Sequence, residues 1–223
     1  MSFARQVAEF CRRDLLTERR AGEVLTIVTP FGAVALMSFP LAFGIDSALV
    51  SRVGPALFWV VVFLFTMQIA LRHSAAERPH QRAVIALLGA DPFARLLGRT
   101  AAAAVLILAF MAILFPAMLL FYSPDLPEGW PLALVPGALA GIGLAQVGTL
   151  AAEVTAGLRT RTTLAPLIVA PLAVPLLIAG SQALESLASD GGILPWTVLV
   201  VATDLALAVI GAAIARPLEE ASL

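Results

Sequence analysis

The chain contains no lysine, one cysteine and one tyrosine, although it carries 14 arginines. Without lysine it cannot form a P-loop, whose lysine holds the nucleotide phosphates. Any ATP that drives this protein must therefore be hydrolysed by another chain. With Cys11 alone, the sequence allows no internal disulfide, no CxxC metal motif and no CxxCH haem-attachment motif.

Charge is scarce as well. Only 13% of the residues are charged, 60% are hydrophobic, and the formal net charge is −1, whereas soluble domains average about 25% charged residues. This composition predicts an integral membrane protein in a lipid bilayer and offers no basic surface for nucleic acid. HExxH, GxSxG and paired-carboxylate motifs are absent, so we expect no enzymatic activity and no cofactor or metal in this chain.

We do not expect residues 1–22 to be a signal peptide, because charged side chains interrupt any apolar core. When they are plotted at 100° per residue, arginines and a glutamate share one face of a helix. The other face is apolar and carries Phe3, Val7, Phe10, Cys11 and Leu15. This pattern predicts an amphipathic helix that lies in the membrane interface.

Six apolar segments follow, at 24–44, 55–72, 100–122, 132–157, 164–184 and 194–214. Most are close to the ~20 residues that a transmembrane helix needs. We therefore predict an all-α polytopic membrane protein with six transmembrane helices. The interfacial helix occupies 1–22, the transmembrane domain 23–215 and a tail 216–223.

The arginines predict the orientation, because positively charged loops stay in the cytoplasm. With six spans, every arginine except Arg52 falls on one side, which also holds both termini and the loop 73–99. The opposite side carries acidic residues and is expected to hold three tryptophans as interfacial anchors, namely Trp59, Trp130 and Trp196. We predict a bacterial inner-membrane protein with both termini in the cytoplasm.

The loop 73–99 has the pattern of a short amphipathic helix. Val84, Leu87 and Leu88 share one side of it, and Pro79 and Pro92 bracket it. The predicted helix could dock to a partner protein or lie on the lipid surface, and the loop sequence alone does not distinguish these two roles. His73 and His80 are seven residues apart, but Pro79 interrupts any helix joining them, so solvated histidines are favoured over metal or haem ligands.

Four polar residues inside the apolar segments are candidates for a functional role: Asp204, Gln146, Gln182 and Glu153. Asp204 lies near the middle of the last one and should face the bundle interior, because a carboxylate is costly in lipid. Two interpretations are open: a proton relay or pathway lining, and a neutral acid hydrogen-bonded to Gln146 or Gln182, which is favoured. Glu153 precedes Arg159 and Arg161 and could snorkel or pair with arginine, with a packing role favoured.

Three prolines, Pro166, Pro171 and Pro175, fall in the fifth segment. Each removes a backbone donor and bends a helix. A hinge and a static kink are both open, with the kink slightly favoured.

Several pieces of sequence resemble the CcmB family, the haem exporter protein B family, in the same order along the chain. The run APLAVPLLIAGSQA at Ala170–Ala183 is similar to the family's proline-leucine run in its fifth span. The other pieces are RDLLTERR at Arg13–Arg20, GPALFWVVVFLF at Gly54–Phe65 and AGLRTRTTL at Ala156–Leu164. The loop departs from the family, because the glycine of an acid-glycine-x-leucine element is missing after Glu77 and Arg78.

The resemblance implies an ABC transporter permease subunit in cytochrome c maturation, working as a homodimer. ATP and Mg²⁺ would be bound by a CcmA-like ATPase, and haem would be handled by a complex with CcmC- and CcmD-like subunits and the haem chaperone CcmE. The chain has no outer or intramembrane histidine for iron and no tryptophan-rich motif. We expect the ATPase to contact Glu77, Arg78, Arg82, Val84, Leu87 and Leu88.

Three alternatives remain open. The chain could be half of another ABC-2-like exporter, a proton-coupled carrier that uses Asp204, or a structural scaffold for haem-handling subunits. A neighbouring ATPase of another subfamily would favour the first, and transport without an ATPase the second. Tolerance of inactive ATPase partners would favour the third.

Overall fold

The computed structural model describes residues 2–22, 24–43, 47–75, 91–155, 161–189 and 191–220, together with Gly89. All regular structure in these ranges is helical. The seven α-helices are α1 (Phe3–Ala21), α2 (Thr29–Phe43), α3 (Ser47–Ala75), α4 (Pro92–Tyr122), α5 (Leu134–Val154), α6 (Arg161–Ala188) and α7 (Leu194–Glu220). A π-helical turn, Val24–Val28, precedes α2, and a 3₁₀ turn, Trp130–Ala133, precedes α5.

The predicted all-α membrane fold is confirmed. Five segments are long and apolar enough to cross a bilayer: Leu49–Ile69, Pro92–Tyr122, Trp130–Val154, Leu167–Leu187 and Leu194–Pro217. A sixth is reached only if Phe3–Ala21 and Thr26–Ala42, bent by 50° at their junction, count as one span. The bend follows Gly22, whose φ of +67° ends α1 in the left-handed conformation that glycine adopts at little cost.

Two helices differ from their predicted bounds in ways that matter for function. α4 begins at Pro92 rather than at residue 100, because Asp91 caps it and Pro92 occupies its first turn. Arg95 and Arg99, predicted as loop residues, are therefore helical. α7 extends through Pro217 to Glu220, which includes most of the predicted tail.

α4 and α5 form the centre of the bundle. α5 packs against α3, α4, α6 and α7, and its transmembrane stretch is the most buried of the five. Small residues on α5 allow this close approach: a Cβ at Gly141 would lie 2.8 Å from the Met111 sulfur on α4. α7 is the least buried span and lies at the edge of the bundle.

One aromatic prediction is wrong. Trp59 is only 7% exposed, and a Cβ at Gly180 on α6 would lie 2.4 Å from its indole ring. Trp59 therefore packs inside the bundle and is not an interfacial anchor. Trp130 and Trp196 are half-buried and lie at the end opposite to α1, since each stands just before or at the start of a helix that runs towards the α1 end.

Candidate coupling site at the α1 end of the bundle

The predicted ATPase contact lies outside the described residues. This applies to Glu77, Arg78, Arg82, Val84, Leu87 and Leu88, and also to His80. His73 belongs to α3. The structure does describe what the segment leads into, because α4 begins at Pro92, four residues after Leu88. We call the region where α1, the start of α4 and the end of α5 meet the α1 end of the bundle.

The first turn of α4 is capped by Asp91, and Asp91 is itself hydrogen-bonded to α1. The Asp91 carboxylate accepts hydrogen bonds from the backbone N–H groups of Phe93 and Ala94, at 2.8 and 3.3 Å. The Asp91 N–H in turn donates to the side-chain oxygen of Gln6 on α1, at 2.9 Å. The residue that starts α4 is therefore attached to α1 as well.

The apolar face of α1 packs on α4. A Cβ at Gly98 would lie 2.5 Å from the Phe10 Cβ and 2.8 Å from the Val7 carbonyl oxygen, so only glycine allows this approach. The rings of Phe3 and Phe93 lie 5.9 Å apart. The predicted amphipathic helix is present, and part of its apolar face covers protein.

A buried cluster of charges joins three helices at this end. The Arg99 guanidinium on α4 donates a hydrogen bond from Nη1 to Glu153 Oε1 on α5, and its Nε lies 3.9 Å from Asp14 on α1. Arg95 Nη2 lies 3.9 Å from the second Glu153 oxygen. Arg99 is 4% exposed and Arg95 8%.

The cluster can be buried because its charges balance: two arginines face two carboxylates. An unpaired charge at this depth would carry a large desolvation cost. Arg13 Nε also lies 3.5 Å from Asp14, at a more exposed position. Glu153 thus pairs with arginine, one of the roles expected for it, and its partners are Arg95 and Arg99.

The single cysteine, Cys11, lies at the interface between α1 and α4. Cys11 lies on the α1 face that packs on α4, and its backbone nitrogen would be 3.2 Å from a Cβ at Gly98. Burial raises the pKa of the Cys11 thiol, and the nearby Asp14 carboxylate raises it further. The thiol is therefore less reactive at neutral pH than an exposed cysteine would be.

Asp204 faces the bundle interior, as predicted. Its Oδ1 is buried and has no hydrogen-bond partner among the described residues. A Cβ at Gly143 on α5 would lie 2.3 Å from this oxygen, and the same Cβ would lie 2.7 Å from Leu176 on α6. Asp204 Oδ1 thus lies against α5, close to where Leu176 of α6 packs on Gly143, and no described donor binds it.

The favoured partners of Asp204 are not found. Gln182 instead donates to Glu185 on its own helix, at 2.8 Å. Gln146 lies on the wall of a cavity between α4, α5 and α7 and makes no hydrogen bond to Asp204 Oδ1. The sequence could predict that this carboxyl faces inward, but not that its surroundings would lack a donor.

The three prolines of the fifth segment lie in one continuous helix. α6 runs from Arg161 to Ala188 through Pro166, Pro171 and Pro175 without a break. The possible hinge therefore stays a prediction, and it concerns a helix that is continuous in this structure.

Comparison with known proteins places nearly the whole chain in one family. Residues 5–220 match the sequence profile of the CcmB protein family. Heme exporter protein B of Paracoccus denitrificans is 31% identical over 209 residues, which cover 90% of this chain and 91% of that protein. The proteins of the same name from Pseudomonas aeruginosa and Haemophilus influenzae are 30% and 29% identical, over 88% and 80% of this chain and 89% and 80% of their own lengths.

Proposed function

This chain belongs to the CcmB family, and we propose from that premise that it is the membrane subunit of an ABC complex that exports or delivers haem during cytochrome c maturation. The observation that carries the proposal is the match to haem exporter B proteins over about nine-tenths of both chains. The sequence has no lysine and therefore no P-loop, which supports a role in which another subunit hydrolyses ATP.

We further propose that the loop 73–99 receives the movement of a CcmA-like ATPase. The structure supports this with the position of α4, whose first turn follows the loop directly and is bonded to α1 through Asp91 and Gln6. One and two helical turns further on, Arg95 and Arg99 connect α4 to Glu153 on α5. A displacement of the loop would therefore act on three helices at once.

In this proposal the chain works as a homodimer with two ATPase chains, with CcmC- and CcmD-like subunits and with the haem chaperone CcmE. It resides in the bacterial inner membrane with both termini in the cytoplasm, where the ATPase is. ATP and Mg²⁺ belong to the ATPase, and this chain has no catalytic residues of its own.

The docking proposal is tested by changing the apolar side of the loop. We expect the double variant Leu87→Asp, Leu88→Asp to lose the ATPase on gentle purification of the tagged chain, because two carboxylates replace the apolar contact. Quantitative mass spectrometry of the purified complex measures the ATPase-to-permease ratio, which should fall at least tenfold. Insertion of the chain in the membrane should be unchanged.

The control is Ala86→Asp, which adds a carboxylate to the opposite side of the predicted helix. It should keep the ATPase bound. If the double variant retains the ATPase, the loop is not the docking site. If a strain that makes only the double variant still matures cytochrome c normally, docking at this loop is not needed for the proposed function.

A further inference from the structure

The unpartnered carboxyl of Asp204 is not used by the coupling site. It lies near the middle of the span Leu194–Pro217, on the side of α7 that faces α5 and α6. Its Oδ1 lies against Gly143, beside which Leu176 also packs, and receives no hydrogen bond among the described residues. Because a carboxylate is costly in such surroundings, the protonated, neutral form of the side chain is favoured there.

No other described charge can compensate for Asp204. On α5, Glu153 is ten residues from Gly143, which is about 15 Å along the helix. On α6, Glu185 is nine residues from Leu176, about 13 Å, and on α7 Arg216 is twelve residues from Asp204, about 18 Å. On α4, Arg95 and Arg99 are held with Glu153 at the α1 end.

A cavity of about 240 Å³ leads from the α1 end towards this carboxyl. Its wall begins at the first turn of α4, at Phe93, and ends at Leu207 and Ala208, one helical turn from Asp204. Thr100 and Gln146 are the polar side chains that line it. The other lining residues are apolar, so a water that enters the cavity, at about 30 Å³ each, would have to bind at these two side chains.

We propose that Asp204 is an intramembrane proton-binding site that exchanges its proton with the α1 end of the bundle through this cavity. The neutral acid fits the space between Gly143 and Leu176. The ionised acid is disfavoured there, because no described donor or cation binds Oδ1. Protonation of Asp204 therefore favours the packing of α7 on α5 and α6 seen in this structure.

Infrared spectroscopy of the purified, lipid-reconstituted chain tests this proposal. The carbonyl stretch of a neutral carboxyl should be present at neutral pH, disappear in Asp204→Asn and weaken as the pH is raised. In D₂O the band should shift as the proton exchanges. Filling the cavity with Ala101→Leu or Ala208→Leu should slow this exchange at least tenfold, because both side chains lie on the wall between α4 and α7.

The matched control is Ala206→Leu, an exposed position on α7 that does not line the cavity, which should exchange at the wild-type rate. Two independent filling variants are used so that a folding defect in one does not remove the test. A neutral-carboxyl band that is present in Asp204→Asn, or that does not change with pH, would overturn the proposal. Equal exchange rates in the wild type and a folded filling variant would do so as well.

Discussion

At the scale of single residues, Glu153 joins α5 to two arginines of α4 at the α1 end. It is the only described acid that contacts both Arg95 and Arg99, and its side chain is 9% exposed. Two guanidinium groups on consecutive turns of α4 would otherwise repel each other in a buried site. The carboxylate therefore holds the first turns of α4 against α5.

We expect Glu153→Gln to destabilise the protein strongly, because the amide leaves two buried arginines with one carboxylate, Asp14. Breaking a buried ion pair from one side typically costs about 3–5 kcal/mol. The measurement is the free energy of unfolding in a denaturing detergent titration, followed by circular dichroism.

The control for this prediction is Glu185→Gln on α6. Glu185 is exposed, and its side chain accepts a hydrogen bond from Gln182 one turn away on the same helix. Its loss should change the unfolding free energy by less than about 1 kcal/mol. If the unfolding free energy fell by similar amounts in the two variants, the ionic cluster would stabilise the protein no more than an exposed hydrogen bond does.

The sequence predicted which residues are unusual but not which residues they contact. The cost of a carboxylate in lipid was enough to predict that Asp204 faces inward. The pairing of Glu153 with Arg99 joins residues that are 54 positions apart, and it depends on how α4 and α5 pack. No periodicity or local motif contains that information.

At the scale of elements, α1 is the helix whose attachment can be tested most directly. It packs beside α4 through Gly98, through the Phe3–Phe93 ring contact and through the ion pair between Asp14 and Arg99. Since α1 also contains the single cysteine, Cys11, displacement of α1 from α4 can be followed by the alkylation of this thiol.

Gly98→Ala is expected to displace α1, because the new Cβ would lie 2.5 Å from the Phe10 Cβ and 2.8 Å from a backbone oxygen. Burial raises the pKa of the Cys11 thiol in the wild type, and Asp14 adds to this. Displacing α1 removes most of the burial, so the pKa should fall towards its usual value. The rate of maleimide alkylation, which follows the thiolate, should then rise several-fold at neutral pH, and its pH profile should move to lower pH.

Gly137→Ala is the matched control, because the nearest atom to its new Cβ, in the Trp59 ring, is at an ordinary distance of 3.7 Å. It should leave the alkylation profile of Cys11 unchanged. An unchanged profile in Gly98→Ala would contradict the close packing of α1 on α4.

The helix boundaries show what local signals can predict. Pro92 was expected to start or stop a helix, and with Asp91 as its cap it starts α4. The apolar segment itself begins only at residue 100, because Arg95 and Arg99 interrupt the hydropathy, so the earlier start was missed. Prolines are weaker signals inside a membrane, since α6 continues through three of them.

At the scale of the whole molecule, the chain has two unlike ends. The α1 end holds the ionic cluster and the start of α4, and the opposite end holds the connection 123–129 between α4 and α5, with Asp125 and Glu128. The distribution of arginines predicts that the α1 end faces the cytoplasm, as ATPase docking requires.

Single cysteines at the two ends test this orientation in a Cys11→Ser background. Ser2 and Asp125 are both exposed, Ser2 at the start of α1 and Asp125 in the connection 123–129 between α4 and α5. In sealed spheroplasts a membrane-impermeant maleimide should label Asp125→Cys and spare Ser2→Cys, and in inverted vesicles the result should reverse. Permeabilised membranes should label both, which shows that each thiol is reactive. Labelling of Ser2→Cys in sealed spheroplasts would place the ionic cluster on the outside, where a cytoplasmic ATPase cannot reach it.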